Sequence, residues 1–129
     1  MSVFLEWNKC KAGTWCALSE LDLDHEHFDD MEGVYIIWYG EQNPVALRIG
    51  EGYIRDCLAK DRNIKEIFAN RGQHELYVTW AKIGSEFRSG VARYIAEAVK
   101  PILATDCPSV AAIEVNLPAP WYKESFPWE

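Results

Sequence analysis

The sequence predicts an α+β domain in which a small three-stranded antiparallel sheet is flanked by helices. Three apolar, β-rich runs occupy residues 33–39, 45–50 and 75–83, and turn residues bound them. Helical periodicity follows the second run and returns after the third. A chain of 129 residues corresponds to one domain with a core of its own.

The first two strands are predicted to form a hairpin. "GVYIIWY" at residues 33–39 is an apolar run that begins and ends next to glycine, as a buried strand does. "GEQNP" supplies turn residues, and "VALRIG" at residues 45–50 forms the second strand. The third strand is "ELYVTWAKI" at residues 75–83, whose alternating side chains give it two faces.

Helices are predicted between these strands and after the third. A helix begins near Tyr53, and Asn63 with Glu66 has the spacing of a capping box that starts a second one. The last helix runs from about Ser89 to Val99, because Pro101 cannot continue it.

Charge and cysteine content limit the possible functions. The net charge is −7, and no Lys or Arg lies between Lys11 and Arg48. We therefore expect no broad basic face of the kind that binds duplex DNA tightly. The four cysteines match no zinc-site spacing, and the N-terminus does not resemble a signal peptide. Reduced thiols and a cytoplasmic location are expected, with no membrane span, since no apolar run reaches about 20 residues.

Two triplets carry a resemblance to a known family. Gly33-Val34-Tyr35, then Arg48-Ile49-Gly50, then a helix are similar to the GIY-YIG nucleases, and "GVARYIAEAVKP" resembles the helix that carries their metal-binding glutamate. The resemblance covers about residues 33–104 of a single 1–129 domain, with extensions at both ends. "IEVNLP" is similar to the close of a bacterial subgroup. The resemblance to the GIY-YIG nucleases implies metal-dependent cleavage of nucleic acid by a tyrosine, an arginine and a glutamate.

The resemblance assigns a groove to this chain. Tyr35 matches the first tyrosine, whereas Arg48 stands at the second and can hold a phosphate but cannot act as a phenol. Gly50 and Gly52 form the tight corner. The catalytic candidates are Tyr35, Arg48 and Arg55, and the binding candidates are Gly50, Gly52, Arg62 and Asn116.

Two positions depart from the family. The arginine position is occupied by Cys57 and the glutamate position by Ala92. Arg55 points about 200° around the helix from Cys57, and Arg62 lies farther along. The resemblance therefore implies an inactive or impaired nuclease-like domain with a groove that binds phosphate or nucleic acid weakly, and no cofactor is expected.

Two alternatives stay open. The first is an active, divergent endonuclease that uses Mg or Mn, with Tyr35, Arg55 or Arg62, and Glu97 as metal ligand. The second is a module that binds a protein partner through its acidic N-terminal face or its aromatic C-terminal tail, which contains Trp121, Tyr122, Phe126 and Trp128.

Two smaller constellations have a structural interpretation that we favour over a catalytic one. His25 and His27 could share a metal on one strand face, but acidic loops of this kind are mostly solvated turns. Cys57 could be a nucleophile partnered by His74, but a small buried hydrophobic residue is the expected role.

Overall fold

The computed structural model describes residues 2–40, 43–69, 74–103 and 110–121. It confirms the α+β class, with an antiparallel sheet and helices around it. In chain order the elements are β1 (Ser2–Val3), β2 (Cys16–Ala17), β3 (Glu32–Tyr39), β4 (Val45–Tyr53), α1 (Ile54–Asp61), α2 (Lys65–Ala69), β5 (Tyr77–Lys82), α3 (Arg88–Val99) and β6 (Glu114–Val115).

The main sheet has four antiparallel strands in the order β2-β5-β3-β4. Its three longer strands are those expected from the sequence. The fourth, β2, pairs Cys16 with Val78 and Ala17 with Tyr77 at the opposite edge from β4. A separate two-stranded parallel sheet joins β1 and β6. Strands of two residues are too short to show an alternating pattern, so the sequence did not predict them.

Helices cover both faces of the central strand β3, which is buried from Gly33 to Trp38. Tyr35 and Ile37 belong to a core cluster that includes residues of α1 and α2. Ile36 and its neighbours on the other face belong to a second cluster that includes Val91 and Ile95 of α3. Burial on both faces explains why this strand reads as a continuous apolar run.

Gly33 is required where β3 and β5 lie side by side. A Cβ atom at this position would lie 2.0 Å from the carbonyl oxygen of Ala81, which is backbone and cannot move aside alone. The glycine of the first triplet therefore has a packing role, independent of any chemistry.

The edge strand β4 leads directly into α1, and α1 and α3 both contact it. Ile54, Leu58 and Asp61 are the buried residues of α1. The two helices leave an opening along the β4 edge. In the described part of the chain, no helix has the length and apolarity needed to cross a bilayer.

The expectation of reduced thiols is wrong for one pair, because Cys10 and Cys16 form a disulfide. A tight turn at Lys11–Gly13 folds the chain back, with positive φ at Ala12 and Gly13. The turn brings the two Cα atoms to 5.1 Å, within the range that a disulfide spans. Cys57 is a free thiol, and Cys107 lies outside the described residues.

Candidate functional site

A cleft of about 230 Å³ opens at the β4 edge between α1 and α3. We call it the β4 cleft. Its walls contain residues of both triplets. They also contain Cys57 and Ala92, the two positions that depart from the GIY-YIG pattern. The lining residues are Tyr35, Arg48, Ile49, Gly50, Glu51, Cys57, Lys60, Asp61 and Ala92.

Gly50 allows Tyr35 to reach this cleft. The two residues are directly opposite in the β3–β4 ladder. A Cβ atom at Gly50 would lie 2.3 Å from Cζ of Tyr35, so the ring lies directly over the glycine. Only a residue without a side chain permits this approach. The phenol consequently extends across β4 toward the C-terminal end of α1.

Asp61 joins the polar groups of the cleft. Its Oδ2 atom accepts hydrogen bonds from the Tyr35 hydroxyl and from Nε of Arg48, the latter at 2.9 Å. The Asp61 side chain is 1% exposed, and that of Arg48 is 28% exposed. Tyr35, Arg48 and Asp61 therefore form a largely buried triad whose members satisfy one another.

The triad holds Tyr35 in its neutral form. Burial raises the pKa of Tyr35 far above the ordinary tyrosine value, and the neighbouring Asp61 carboxylate raises it further. Burial alone would lower the pKa of Arg48, but its contacts with Tyr35 and Asp61 outweigh burial and raise it. The phenol is thus a hydrogen-bond donor, and the guanidinium keeps its charge.

Asp61 was not among the residues predicted from the sequence. An aspartate in a predicted helix is ordinarily a solvated charge, but Asp61 follows Ile54 by seven residues and Leu58 by three. That spacing places it on the inward face of α1. A carboxylate on the apolar face of a helix needs a buried partner, so this position was the signal in the sequence that could have identified Asp61 as part of the site.

Cys57 and Ala92 face the cleft from opposite helices. The Cys57 thiol donates a long hydrogen bond of 3.5 Å to the carbonyl of Glu51. Burial raises the pKa of Cys57, and Asp61 and Asp56 add to this shift, so the thiol stays protonated near neutral pH. Gly52, with φ of +140°, leaves room for this sulfur. Ala92 contributes only a buried methyl group.

A second polar network lies at the rim of the cleft, and the sequence did not predict it. Oε1 of Glu51 accepts hydrogen bonds from Oγ of Ser89 at 2.8 Å and from Nε of Arg88 at 3.2 Å. Arg88 also pairs with Glu32 at 3.4 Å. The network connects β3 and β4 to the first turn of α3, and it engages the Glu51 carboxylate.

The expected groove positions of Arg55 and Arg62 are corrected by the structure. Arg55 donates to the carbonyls of Leu23 and His25 and pairs with Asp29 at 2.8 Å. Arg62 donates to the carbonyls of Leu18 and Leu21. Both side chains fasten the acidic segment before β3 onto α1. They face away from the β4 cleft because that segment packs along the other side of the helix.

Asn116 and Glu97 also lie outside the cleft. Asn116 accepts a hydrogen bond from the amide of Leu5 and donates to the Leu5 carbonyl, which holds the N-terminal segment beside β6. Glu97 is exposed and pairs with Arg93 one helical turn earlier at 2.9 Å. The expected groove role of Asn116 and the alternative metal role of Glu97 therefore have no geometric support.

The histidines serve as packing and hydrogen-bonding groups. Nε2 of His27 accepts a hydrogen bond from Nε1 of Trp80 at 3.1 Å, and Nδ1 of His25 accepts from the backbone amide of His27. His74 stacks on Tyr39, whereas Cys57 faces the β4 cleft. Across the described ranges, no three His, Cys, Asp or Glu residues are grouped so that they could hold a metal ion.

The aromatic tail is described only at its start. Trp121 packs edge-on against Trp38, with ring centroids 5.4 Å apart. Tyr122, Phe126 and Trp128 lie outside the described residues. Trp121 therefore belongs to the packing of the second core cluster.

The divalent metal implied by the resemblance does not fit the residues of the β4 cleft. Ala92 has no ligand atom, and hard cations require oxygen ligands. The carboxylates that line the cleft, Glu51 and Asp61, are engaged by Arg88 with Ser89 and by Tyr35 with Arg48. The β4 cleft therefore lacks the ligand set that metal-assisted cleavage needs.

Comparison of the chain with models of protein families, with curated proteins and with solved structures finds no match in any of the three. The GIY-YIG resemblance stays a prediction that depends on the two triplets and their spacing, on the helix sequence "GVARYIAEAVKP" and on the order of the elements.

Proposed function

We propose that the protein is a GIY-YIG-like domain without nuclease chemistry, and that its β4 cleft is a weak binding site for a phosphate group of a nucleic acid. The observation that supports the absence of nuclease chemistry is the hydrogen bond from the Tyr35 hydroxyl to the buried Asp61 carboxylate. Because the phenolic proton is donated to Asp61, the Tyr35 hydroxyl is engaged inside the protein and is not directed at a substrate.

Cleavage of a phosphodiester requires groups that this cleft does not supply. A nucleophile or base must be activated, and positive charge must meet the charge that develops on phosphate. Tyr35 is held neutral, and the charge of Arg48 is offset by Asp61 at 2.9 Å. Cys57 provides no cation where the family has an arginine, and Ala92 provides no oxygen ligand for a hard metal ion. Loss of one charge-stabilising donor commonly lowers the rate by about 10²–10³.

Weak binding is the function that the remaining groups support. Lys60 is exposed at the cleft, and Arg48 keeps part of its side chain accessible. Glu51 and Asp61 balance these two cations in formal charge. A phosphate would therefore gain two donors but little net attraction, so its binding should be weak and detectable only at low salt.

Two assays test this proposal. In plasmid nicking with Mg or Mn, we expect no cleavage by the natural protein. Metal-dependent nicking that Tyr35→Phe reduces would contradict the inactive cleft. In an NMR titration with a short single-stranded oligonucleotide at low salt, we expect shifts at Gly50 and Lys60 that Lys60→Ala weakens. Unchanged spectra would contradict the binding site.

The active-endonuclease alternative has no supporting observation, since Arg55, Arg62 and Glu97 are engaged elsewhere. The cytoplasmic location stays a prediction. Disulfides are rare in the cytosol, so the Cys10–Cys16 disulfide and a cytoplasmic location are not expected together. Alkylation of free thiols in fresh cell lysates measures whether Cys10 and Cys16 are paired in the cell.

A further inference from the structure

We propose that a second groove, beside the Cys10–Cys16 loop, binds a lysine- or arginine-containing peptide segment of a partner protein. This groove of about 660 Å³ is larger than the β4 cleft and lies at the β2 edge of the sheet. Its volume falls within the range of about 300–1,000 Å³ that is typical of ligand sites. It is lined by residues from positions 8–28 together with Trp80, and we call it the β2 groove.

Aromatic side chains form a fixed floor for the β2 groove. Phe28 and Trp80 are nearly fully buried, and their ring centroids lie 5.1 Å apart. His27 accepts the Trp80 indole proton and contacts both rings. Because these contacts hold the rings in place without a ligand, a peptide would meet a surface that is already ordered.

Trp15 shows how this groove can hold a cation. The ammonium nitrogen of Lys9 lies 4.5 Å from the centroid of the Trp15 ring. The indole is partly accessible and is supported from behind by Trp38 at 5.2 Å. An ammonium or guanidinium group over an indole face is an attractive arrangement. Lys9 is exposed, so a lysine or arginine of a partner can replace it on the ring.

Charge around the β2 groove favours a basic partner. The carboxylates of Glu20 and Asp22 line it together with Lys9 and Lys11, and within the described residues neither carboxylate forms an ion pair with a Lys or Arg. The excess of negative charge comes from the other acidic residues of the same segment. Residues 8–30 contain six acidic residues against two lysines. Of the six, Asp29 is neutralised by Arg55. Phosphate-bearing ligands such as nucleic acids are repelled by this field, whereas a basic peptide is attracted.

The location at a sheet edge favours an extended peptide over a free amine. Cys16 and Ala17 of β2 line the groove, and β2 is the outermost strand on that side of the sheet. A partner segment can lie along this edge while its basic side chains reach Trp15 and the carboxylates. Because β2 has only two residues, main-chain pairing is limited, and the side-chain contacts supply most of the affinity and the selectivity.

Fluorescence anisotropy with labelled nine-residue peptides tests the proposal. The probe alternates lysine with alanine, and matched copies carry arginine, glutamine or glutamate in place of lysine. We expect the lysine and arginine peptides to bind at low salt, the glutamine peptide to bind at least about tenfold more weakly, and the glutamate peptide not to bind. No binding of either basic peptide at low salt would overturn the proposal. Competition by free lysine at the affinity of the peptide would also overturn it.

Variants distinguish the groove from general attraction to an acidic protein. Glu20→Gln/Asp22→Asn changes two exposed side chains, and we expect it to weaken binding by about tenfold. Glu97→Gln/Glu114→Gln removes the same number of charges at exposed sites away from the groove, and it should weaken binding less than about twofold. Equal losses in both variants would mean that the peptide binds through net charge alone, which would overturn the proposal.

Lys9→Gln gives a second, opposite readout. Removal of the resident cation frees the Trp15 face and makes the groove more negative, so affinity for the basic peptide should rise by about two- to fivefold. Weaker binding by this variant would contradict the proposed exchange of Lys9 for the partner's cation.

Discussion

The two edges of the main sheet differ in the burial and pairing of their carboxylates. At the β4 edge, the carboxylate of Asp61 is buried and accepts hydrogen bonds from Tyr35 and Arg48 within the same cleft. At the β2 edge, the carboxylates of Glu20 and Asp22 are exposed and lie beside aromatic rings. The first arrangement contributes to the stability of the fold. The second leaves carboxylates and aromatic rings available to bind a partner, although the β2 edge lies outside the two GIY-YIG-like triplets.

The largest expected effect is the loss of Asp61. Asp61→Ala removes the acceptor shared by Tyr35 and Arg48, and it leaves a phenol and a partly buried cation without their partner. We expect the free energy of unfolding to fall by about 3–4 kcal/mol, because breaking a buried charge pair is strongly destabilising. Urea denaturation measures this loss. The exposed Asp24→Ala serves as the control and should change stability by less than about 0.5 kcal/mol.

A smaller loss is expected when Tyr35 is pushed off β4. In Gly50→Ala the new methyl group overlaps the Tyr35 ring, since the Cβ atom would lie 2.3 Å from Cζ. Overpacking should cost about 2–3 kcal/mol. A Cβ atom at Gly84 would lie 3.9 Å from its nearest neighbour, Oε1 of Glu32, so Gly84→Ala should be close to neutral. Similar losses in both variants, measured by thermal unfolding, would contradict the role of Gly50.

The Cys10–Cys16 disulfide offers a test of independence between the two edges. Cys10→Ser/Cys16→Ser opens a short loop, so the free energy of unfolding should fall by about 2 kcal/mol. Because both cysteines line the β2 groove, peptide binding should weaken as well. Backbone NMR shifts around Tyr35 and Asp61 should stay unchanged. Large shifts there would mean that the two sites are coupled.

The sequence predicted the parts of the fold that depend on long local patterns. The run from Gly33 to Tyr39 is buried on both faces over most of its length, and a buried strand is hard to mistake for another element when glycines bound it. The hairpin β3–β4 and the final helix were found for similar reasons. Strands β1, β2 and β6 have two residues each, and tertiary pairing alone defines them.

The candidate site was predictable where it depends on strand register and unpredictable where it depends on long side chains. Tyr35, Gly50, Cys57 and Ala92 were placed by motif spacing, and the structure brings them to one cleft. Arg55 reaches a carbonyl 32 residues earlier in the chain, which no local pattern encodes. The role of Asp61 was not predicted because its partners, Tyr35 and Arg48, come from two other elements.

The ionisation of Tyr35 tests the central claim most directly. With tyrosine labelled at ¹³Cζ, and with Tyr35→Phe to assign its signal, the ring can be followed by NMR as pH rises. A raised pKa in the folded state means that its stabilising contribution is present below the unfolded value of about 10 and is lost as pH rises above it. We therefore expect the Tyr35 signal to stay that of a neutral phenol up to at least about pH 10, with stability falling beyond that point. Ionisation of Tyr35 near neutral pH would contradict the account, because it would mark an activated tyrosine in place of a hydrogen-bond donor to Asp61.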